Sequence, residues 1–213
     1  MKYINFKFLS LWLKYSISNY SRYKYLFKFI VDVKPKSILE IGVYKGKRSI
    51  EMIDLAQCFN KKIKFYGFDL FEKITKKKIK SELSKQPSSK YEILKKLNNL
   101  FPKSKIKLVK GNTVTTLKKF KFKSKVDFIF IDGGHSVRTI KKDWQNVKNL
   151  INKKSVVIFD DYYSSDQISK KFGSKSIINN LEKKYISKVL PSRDIINFKN
   201  KKMINSLVLV KVR

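Results

Sequence analysis

Cysteine is nearly absent: Cys58 alone stands in 213 residues, so no disulfide can form within the chain. A lone thiol fits a reducing compartment. No run of eighteen apolar residues occurs, which argues against a transmembrane helix. The segment from Lys2 to Ile17 mixes Phe, Leu, Trp and Tyr with Lys7 and Lys14, and lacks both the unbroken apolar stretch and the small-residue cleavage site of a signal peptide. A cytoplasmic protein is expected. Histidine occurs once, at His135, and acids are few: 16 Asp and Glu against 50 Lys and Arg, for a formal net charge of +34. Alanine and glycine are also scarce.

So large a charge raises the question of nucleic acid. Yet the basic residues are spread along the chain, and only five of the 50 are arginine. Readers of nucleic acid favour arginine, whose planar fork pairs with phosphate and bases. Abundant Lys, Ile, Asn, Phe and Tyr is what an AT-rich coding sequence writes, with lysine filling solvated positions. No dedicated nucleic-acid site is expected. The field would still draw in anionic acceptors or an anionic membrane surface.

What is present is a set of short apolar runs that stop at acids. Val126-Asp-Phe-Ile-Phe-Ile-Asp132-Gly-Gly-His135 and Ser155-Val-Val-Ile-Phe-Asp160-Asp161 flank a polar, helix-like stretch at 136–151. That layout is a βαβ unit, whose parallel strands deliver their C-terminal ends to one edge. Asp132, Asp160 and Asp161 should therefore converge, and clustered carboxylates call for a cation such as Mg²⁺. The bland alternative is that one or more of these acids only caps the next helix or sits in a loop.

Upstream, Ser37-Ile-Leu-Glu40-Ile-Gly42-Val-Tyr44-Lys-Gly46 reads as a buried strand, a glycine turn and a helix start. Ile63-Lys-Phe-Tyr-Gly-Phe-Asp69 is a second strand ending in acid, placed where a ribose hydroxyl pair is held in nucleotide-type sites. Strands near 37–42, 63–69, 105–110, 125–131 and 154–160 alternate with helices near 46–59, 74–100, 113–119 and 136–151, which predicts a doubly wound, mostly parallel sheet. The stretch 74–100 is broken by Gln86-Pro-Ser-Ser89 and is expected either to cover the crevice or to form a solvated helix pair. Further on, a helix near 173–183 precedes two strands, Tyr185 to Ile195 and Met203 to Val212, close enough to pair antiparallel.

Glu40-x-Gly42-x-x-x-Gly46, then Asp69, Gly111-Asn112, Asp132-Gly-Gly-His135-Ser136 and Asp160-Asp161-Tyr162 follow the order and spacing of class I S-adenosylmethionine-dependent methyltransferases. Within that class the chain resembles the macrocin-type and catechol-type O-methyltransferases, over about residues 30–212. Tyr44 departs from the pattern at the middle glycine, and Asn112 stands where an acidic or hydroxyl residue is frequent.

The resemblance implies a Rossmann-like α/β fold, with a seven-stranded sheet ending in an antiparallel hairpin. Residues 1–20 read as an amphipathic helical segment and 21–33 as a second helix leading to Pro35, so an N-terminal helical segment over 1–33 is expected ahead of a methyltransferase domain over 34–213. Glu40, Gly42, Tyr44, Gly46, Asp69, Asn112 and Asp132 would hold S-adenosylmethionine. Asp132, Asp160 and Asp161 would hold Mg²⁺. Asp132 and His135 would act on a small hydroxylated acceptor. Ribose methylation of RNA and a non-catalytic S-adenosylmethionine-binding module are the alternatives. Methylation of base amines is disfavoured, because the turn after strand four is Asp132-Gly-Gly-His rather than an Asn/Asp-Pro-Pro-aromatic turn. The aromatics Phe6, Phe8, Trp12 and Tyr15 are expected to cover the sheet's helices, to join two copies as a homodimer or to touch a membrane surface.

Overall fold

Continuous apolar runs too short for helices become the central strands of the sheet. The structure, a computed structural model, describes residues 6–17, 19–198 and 201–213. Parts of the expected N-terminal helix (1–5 and 18) and the Asn-Lys turn at 199 and 200 lie outside the described residues. Strand β1 (Ser37–Ile41) is buried at every position, as a strand covered on both faces must be. It pairs in parallel with β2 (Lys64–Asp69) and β4 (Phe128–Ile131). Outside these lie β3 (Lys105–Lys110), beside β2, and β5 (Val156–Tyr163), beside β4.

Antiparallel strand β8 (Lys201–Val212) lies between β5 and β6 (Tyr185–Val189), giving the order β3-β2-β1-β4-β5-β8-β6. Short strand β7 (Ile195–Phe198) pairs with the start of β8 as an eighth strand off this path. The fold is therefore the doubly wound, mostly parallel α/β sheet expected, with antiparallel C-terminal strands. The strand order reverses between β1 and β4, where such sheets open a crevice.

Helices cover both faces, and alternate residues of each strand point to opposite cores. On one side Ile38, Phe65, Phe128 and Ile158 meet helices α2 (Tyr23–Val33), α3 (Lys47–Gln57) and α5 (Lys90–Leu100). On the other, Leu39, Phe68, Ile129 and Phe159 meet α6 (Thr113–Lys119), α7 (Val137–Val147) and α9 (Lys175–Asn179). Helix α2 buries Tyr23, Leu26, Phe27 and Ile30, the i, i+3, i+4, i+7 stripe of an amphipathic helix. Preceding helix α1 (Phe6–Ile17) packs Phe8, Leu11, Trp12 and Tyr15 against the same core.

The stretch at 74–100, broken at Gln86-Pro-Ser-Ser89, is a helix pair, α4 (Lys76–Ser81) and α5: Pro87 interrupts it, and Ser89 with Glu92 forms a capping box that restarts it. Two expected boundaries move. The second acidic run does not stop at Asp160. It passes through a bulge, Asp161 takes a φ of 58°, and Tyr162 and Tyr163 resume pairing with Ser206 and Asn205. The helix expected at 173–183 shrinks to α9, preceded by the single turn α8 (Asp166–Ser169), since Gly173 turns the chain at φ 84°.

Candidate active site

The end of β1 and the end of β4 are clamped together. Asp132 N–H donates to the Ile41 carbonyl at 2.8 Å, and on the other flank Gly42 N–H ties the same end of β1 to the Phe68 carbonyl of β2 at 2.9 Å. Gly42 turns at φ 92°, and a Cβ there would stand 1.9 Å from the Asp132 carbonyl oxygen. No other residue type fits without opening the clamp. Tyr44 follows at φ 53° and Gly46 at φ 75°, so the turn holds a bulky side chain in the left-handed region at a cost of about 1–2 kcal/mol. Asp69 stabilises that arrangement: its Oδ2 accepts from Tyr44 N–H at 2.8 Å and its Oδ1 from Phe71 N–H at 3.0 Å. Each oxygen keeps a second lone pair for a ligand.

Gly42, Tyr44, Asp69, Asn112, Asp132 and His135 line one cleft of about 500 Å³. Asn112 also caps α6, accepting from Val114 N–H at 3.0 Å. Gly46 stands behind the wall as the residue that starts α3. Glu40 does not reach the cleft. It is fully buried against Ser49, whose hydroxyl donates to it, and burial outweighs that bond to push its acid up to about 8.

The acids after β4 and β5 divide into two groups. Asp160, expected beside Asp132 and Asp161 as a cation ligand, is spent elsewhere. It takes a two-pronged contact from the Arg22 guanidinium (Nε to Oδ1 2.9 Å, Nη2 to Oδ2 3.2 Å) and a bond from the Tyr23 hydroxyl at 2.9 Å. Arg22 also reaches Asp194 at 3.0 Å. Burial is the largest single influence and works against its charge, but Asp160, the Tyr23 hydroxyl and Asp132 together outweigh it and hold the guanidinium above its ordinary range. The group whose ligand atoms lie within 4.8 Å of one another is instead Asp132, His135 and Asp161. His135 Nε2 lies 3.2 Å from Asp161 Oδ2, and Asn205 Nδ2 donates to Asp161 Oδ1 at 3.2 Å. Burial first, then neighbouring carboxylates, push the Asp132 acid well up; burial raises Asp161 too, with His135 opposing. A cation at this point would relieve the crowding, and a set of two carboxylates and one imidazole suits a divalent ion.

Sequence reasoning missed several residues of the site. Tyr20 and Tyr23 bring the N-terminal helical segment to the cleft, where Arg48 of α3 meets it with its guanidinium 4.1 Å from the centre of the Tyr23 ring. The covering stretch contributes Ile74, Leu83, Ser84 and Pro87, so it does roof the crevice. Asp143 lies on α7 under Gly133, fully buried, and neither carboxylate oxygen has a hydrogen-bond partner among the described residues. Burial pushes its acid up to about 7, only partly offset by the nearby Thr113 and Lys78. Since this folded value exceeds that of an unfolded aspartate, ionisation costs stability as pH climbs from about 4, and the cost is complete above 7. Asp143→Asn should therefore stabilise the protein by roughly 1–3 kcal/mol at pH 8 and by little at pH 4.5. Urea midpoints at the two pH values test this; an equal gap at both would refute it.

Comparison with known proteins places this geometry in a family. A family model described as a methyltransferase domain matches residues 39–162, more than half of the chain. No curated protein matches. Among solved structures the chain is similar to the O-methyltransferase from Bacillus cereus in complex with SAH, at 14% identity and TM-score 0.57, covering 100% of this chain and 93% of that one. It is similar to the O-methyltransferase TomG from Streptomyces achromogenes, involved in tomaymycin synthesis and solved with SAM, at 12% identity and TM-score 0.57, covering 88% and 77%. It is also similar to an rRNA methylase from Streptococcus thermophilus, at 10% identity and TM-score 0.59, covering 90% and 96%. Identities this low speak for the fold, whereas the family match spans the glycine turn, the acid of β2 and the acids after β4 and β5: the chain belongs to the methyltransferase-domain family and is a methyltransferase.

Proposed function

We propose that the chain is an S-adenosylmethionine-dependent O-methyltransferase acting on a small hydroxylated acceptor, assisted by a divalent cation for which Mg²⁺ is the first candidate. The observation that carries this reading is the meeting, in one cleft, of the Gly42–Asp69 cradle with Asp132 and His135. The residues fit the cofactor. Gly42 brings bare backbone to the cleft wall, and Asp69 keeps a free lone pair on each oxygen for a ribose. When bound, the sulfonium supplies an electrophilic methyl group.

The chain's own work is alignment and proton removal. Asp132 and Asp161, with His135, would hold the cation that lowers the pKa of the acceptor hydroxyl. Asp161 lies against Nε2 of the His135 ring, so the one remaining ring nitrogen would serve the cation when it is bound and would take the proton only in its absence. Arg22 supports this division, since it keeps Asp160 paired apart from the other two acids. The contact between helix α1 and the core supports a packing role for Phe8, Trp12 and Tyr15, whereas Phe6 is exposed. A second reading, ribose methylation of RNA, draws on the net charge and on the cleft's Lys45, Lys47 and Lys85. Lysine dispersed over the whole chain supports it less well, because it favours weak, salt-sensitive binding.

Calorimetric titration with S-adenosylmethionine and its demethylated product tests the proposal. Saturable binding is expected, weakened about 10- to 100-fold in Asp69→Ala, the loss of one charge-assisted hydrogen bond or slightly more. No saturation by either ligand at millimolar concentration ends the reading.

A further inference from the structure

Glu82 lies in the covering stretch just after α4, yet three of its bonds go to the turn and helix that follow β4. Its Oε2 accepts from Ser136 N–H at 2.8 Å, and its Oε1 from the Thr139 hydroxyl at 2.7 Å. Its backbone carbonyl receives His135 N–H at 3.4 Å, and Lys78 supplies the counter-charge at 2.7 Å. The carboxylate is buried, and a Cβ on Gly134 would come within 2.8 Å of it. Burial opposes its charge, but the bonds from Lys78, Thr139 and Ser136 together hold the acid below its usual range.

Helix α7 does not need Glu82 as a cap. Ser136 already caps it, with its hydroxyl accepting from Thr139 N–H at 3.3 Å. Next to Glu82, Leu83 adopts a φ of 53°, a left-handed angle that costs a branched residue free energy. The chain is bent there in the direction that delivers Glu82 to the turn carrying His135. That turn is gripped from the far side as well, where Gly173 N–H donates to the His135 carbonyl at 2.8 Å. The covering stretch has a second tether, Ser88 N–H to the Tyr44 carbonyl at 3.2 Å, on the cofactor side of the cleft.

We infer that Glu82 is a positioning residue: it pins the covering stretch onto the Gly134–His135–Ser136 turn and so sets where the His135 ring stands over the cleft. The inference deepens the proposed active site, but its readout needs neither acceptor nor turnover. Its failure would leave the methyltransferase reading untouched.

His135 is the only histidine in the chain, so its ring gives one uncrowded NMR signal. In Glu82→Ala that signal should shift and broaden, and the amides of His135 and Ser136 should exchange at least about tenfold faster, as for a local opening. Exchange in β1 should stay unchanged. Glu82→Gln keeps the shape and one acceptor oxygen, so it should show the same effects at reduced size. An unmoved His135 signal in the two variants overturns the inference. So does faster exchange spread equally over the sheet, which marks a merely structural residue. Should Glu82→Ala fail to fold, Glu82→Gln decides alone: a perturbed ring with a quiet β1 upholds the role, and an unperturbed ring removes it.

Discussion

Arg22→Met should cost the fold about 3–5 kcal/mol, because it strands a buried carboxylate. Asp160 is held by the guanidinium at 2.9 and 3.2 Å and is almost wholly out of water. Its other bonds, from the Tyr23 hydroxyl and the Asp161 amide, cannot replace a full positive charge. For a chain of this size such a loss lowers the melting temperature by roughly 10 °C. Arg22→Met combined with Asp160→Leu should recover most of the loss, since a buried pair can often be replaced by apolar groups of similar volume. Calorimetric melts of the three proteins decide the point. A loss below about 1 kcal/mol in the single variant would show that water, rather than Arg22, satisfies Asp160.

Asp132→Asn and Asp161→Asn should each depress methyl transfer by about 10²- to 10⁴-fold while leaving S-adenosylhomocysteine affinity within a few-fold. Asn preserves shape and removes one charge from a site where two carboxylates and His135 share a space under 4.8 Å across. Two assays separate the roles. Titration of free Mn²⁺ by its EPR signal should show one site in the parent protein and none when both acids are replaced. Turnover on whichever hydroxylated acceptor first proves active should fall in chelator and return with Mg²⁺ or Mn²⁺. Full activity in chelator would instead assign the acids to orienting His135, which would then remove the proton unaided.

The parallel core was legible because β1, β4 and β5 are apolar runs too short for helices and bounded by glycine or acid. The acids at the ends of β2 and β4 were legible for the same reason: strand ends in such sheets share an edge. The choice between Asp160 and Asp161 was not. It depends on a bulge that turns one side chain away from the other, and on Arg22, which comes from 138 residues earlier in the chain. A signal was present all the same. In a chain where lysine fills the solvated positions, the rare arginines mark places where a planar fork is required, and Arg22 and Arg48 are two of the five. Glu82 and Asp143 left no comparable trace, since each acts through burial by elements distant in sequence.

The insertion of β8 between β5 and β6 has a consequence for the timing of maturation. Asp161 owes its orientation to pairing across the bulge and to Asn205, both supplied by a strand that leaves the ribosome after α8, α9, β6 and β7. The parallel half of the sheet can assemble on the nascent chain, since domains fold as their N-terminal parts emerge. The cluster of Asp132, His135 and Asp161 cannot. The growing polypeptide therefore carries a formed glycine cradle before Asp132, His135 and Asp161 stand together, and that cluster is complete only when β8 slots into the sheet.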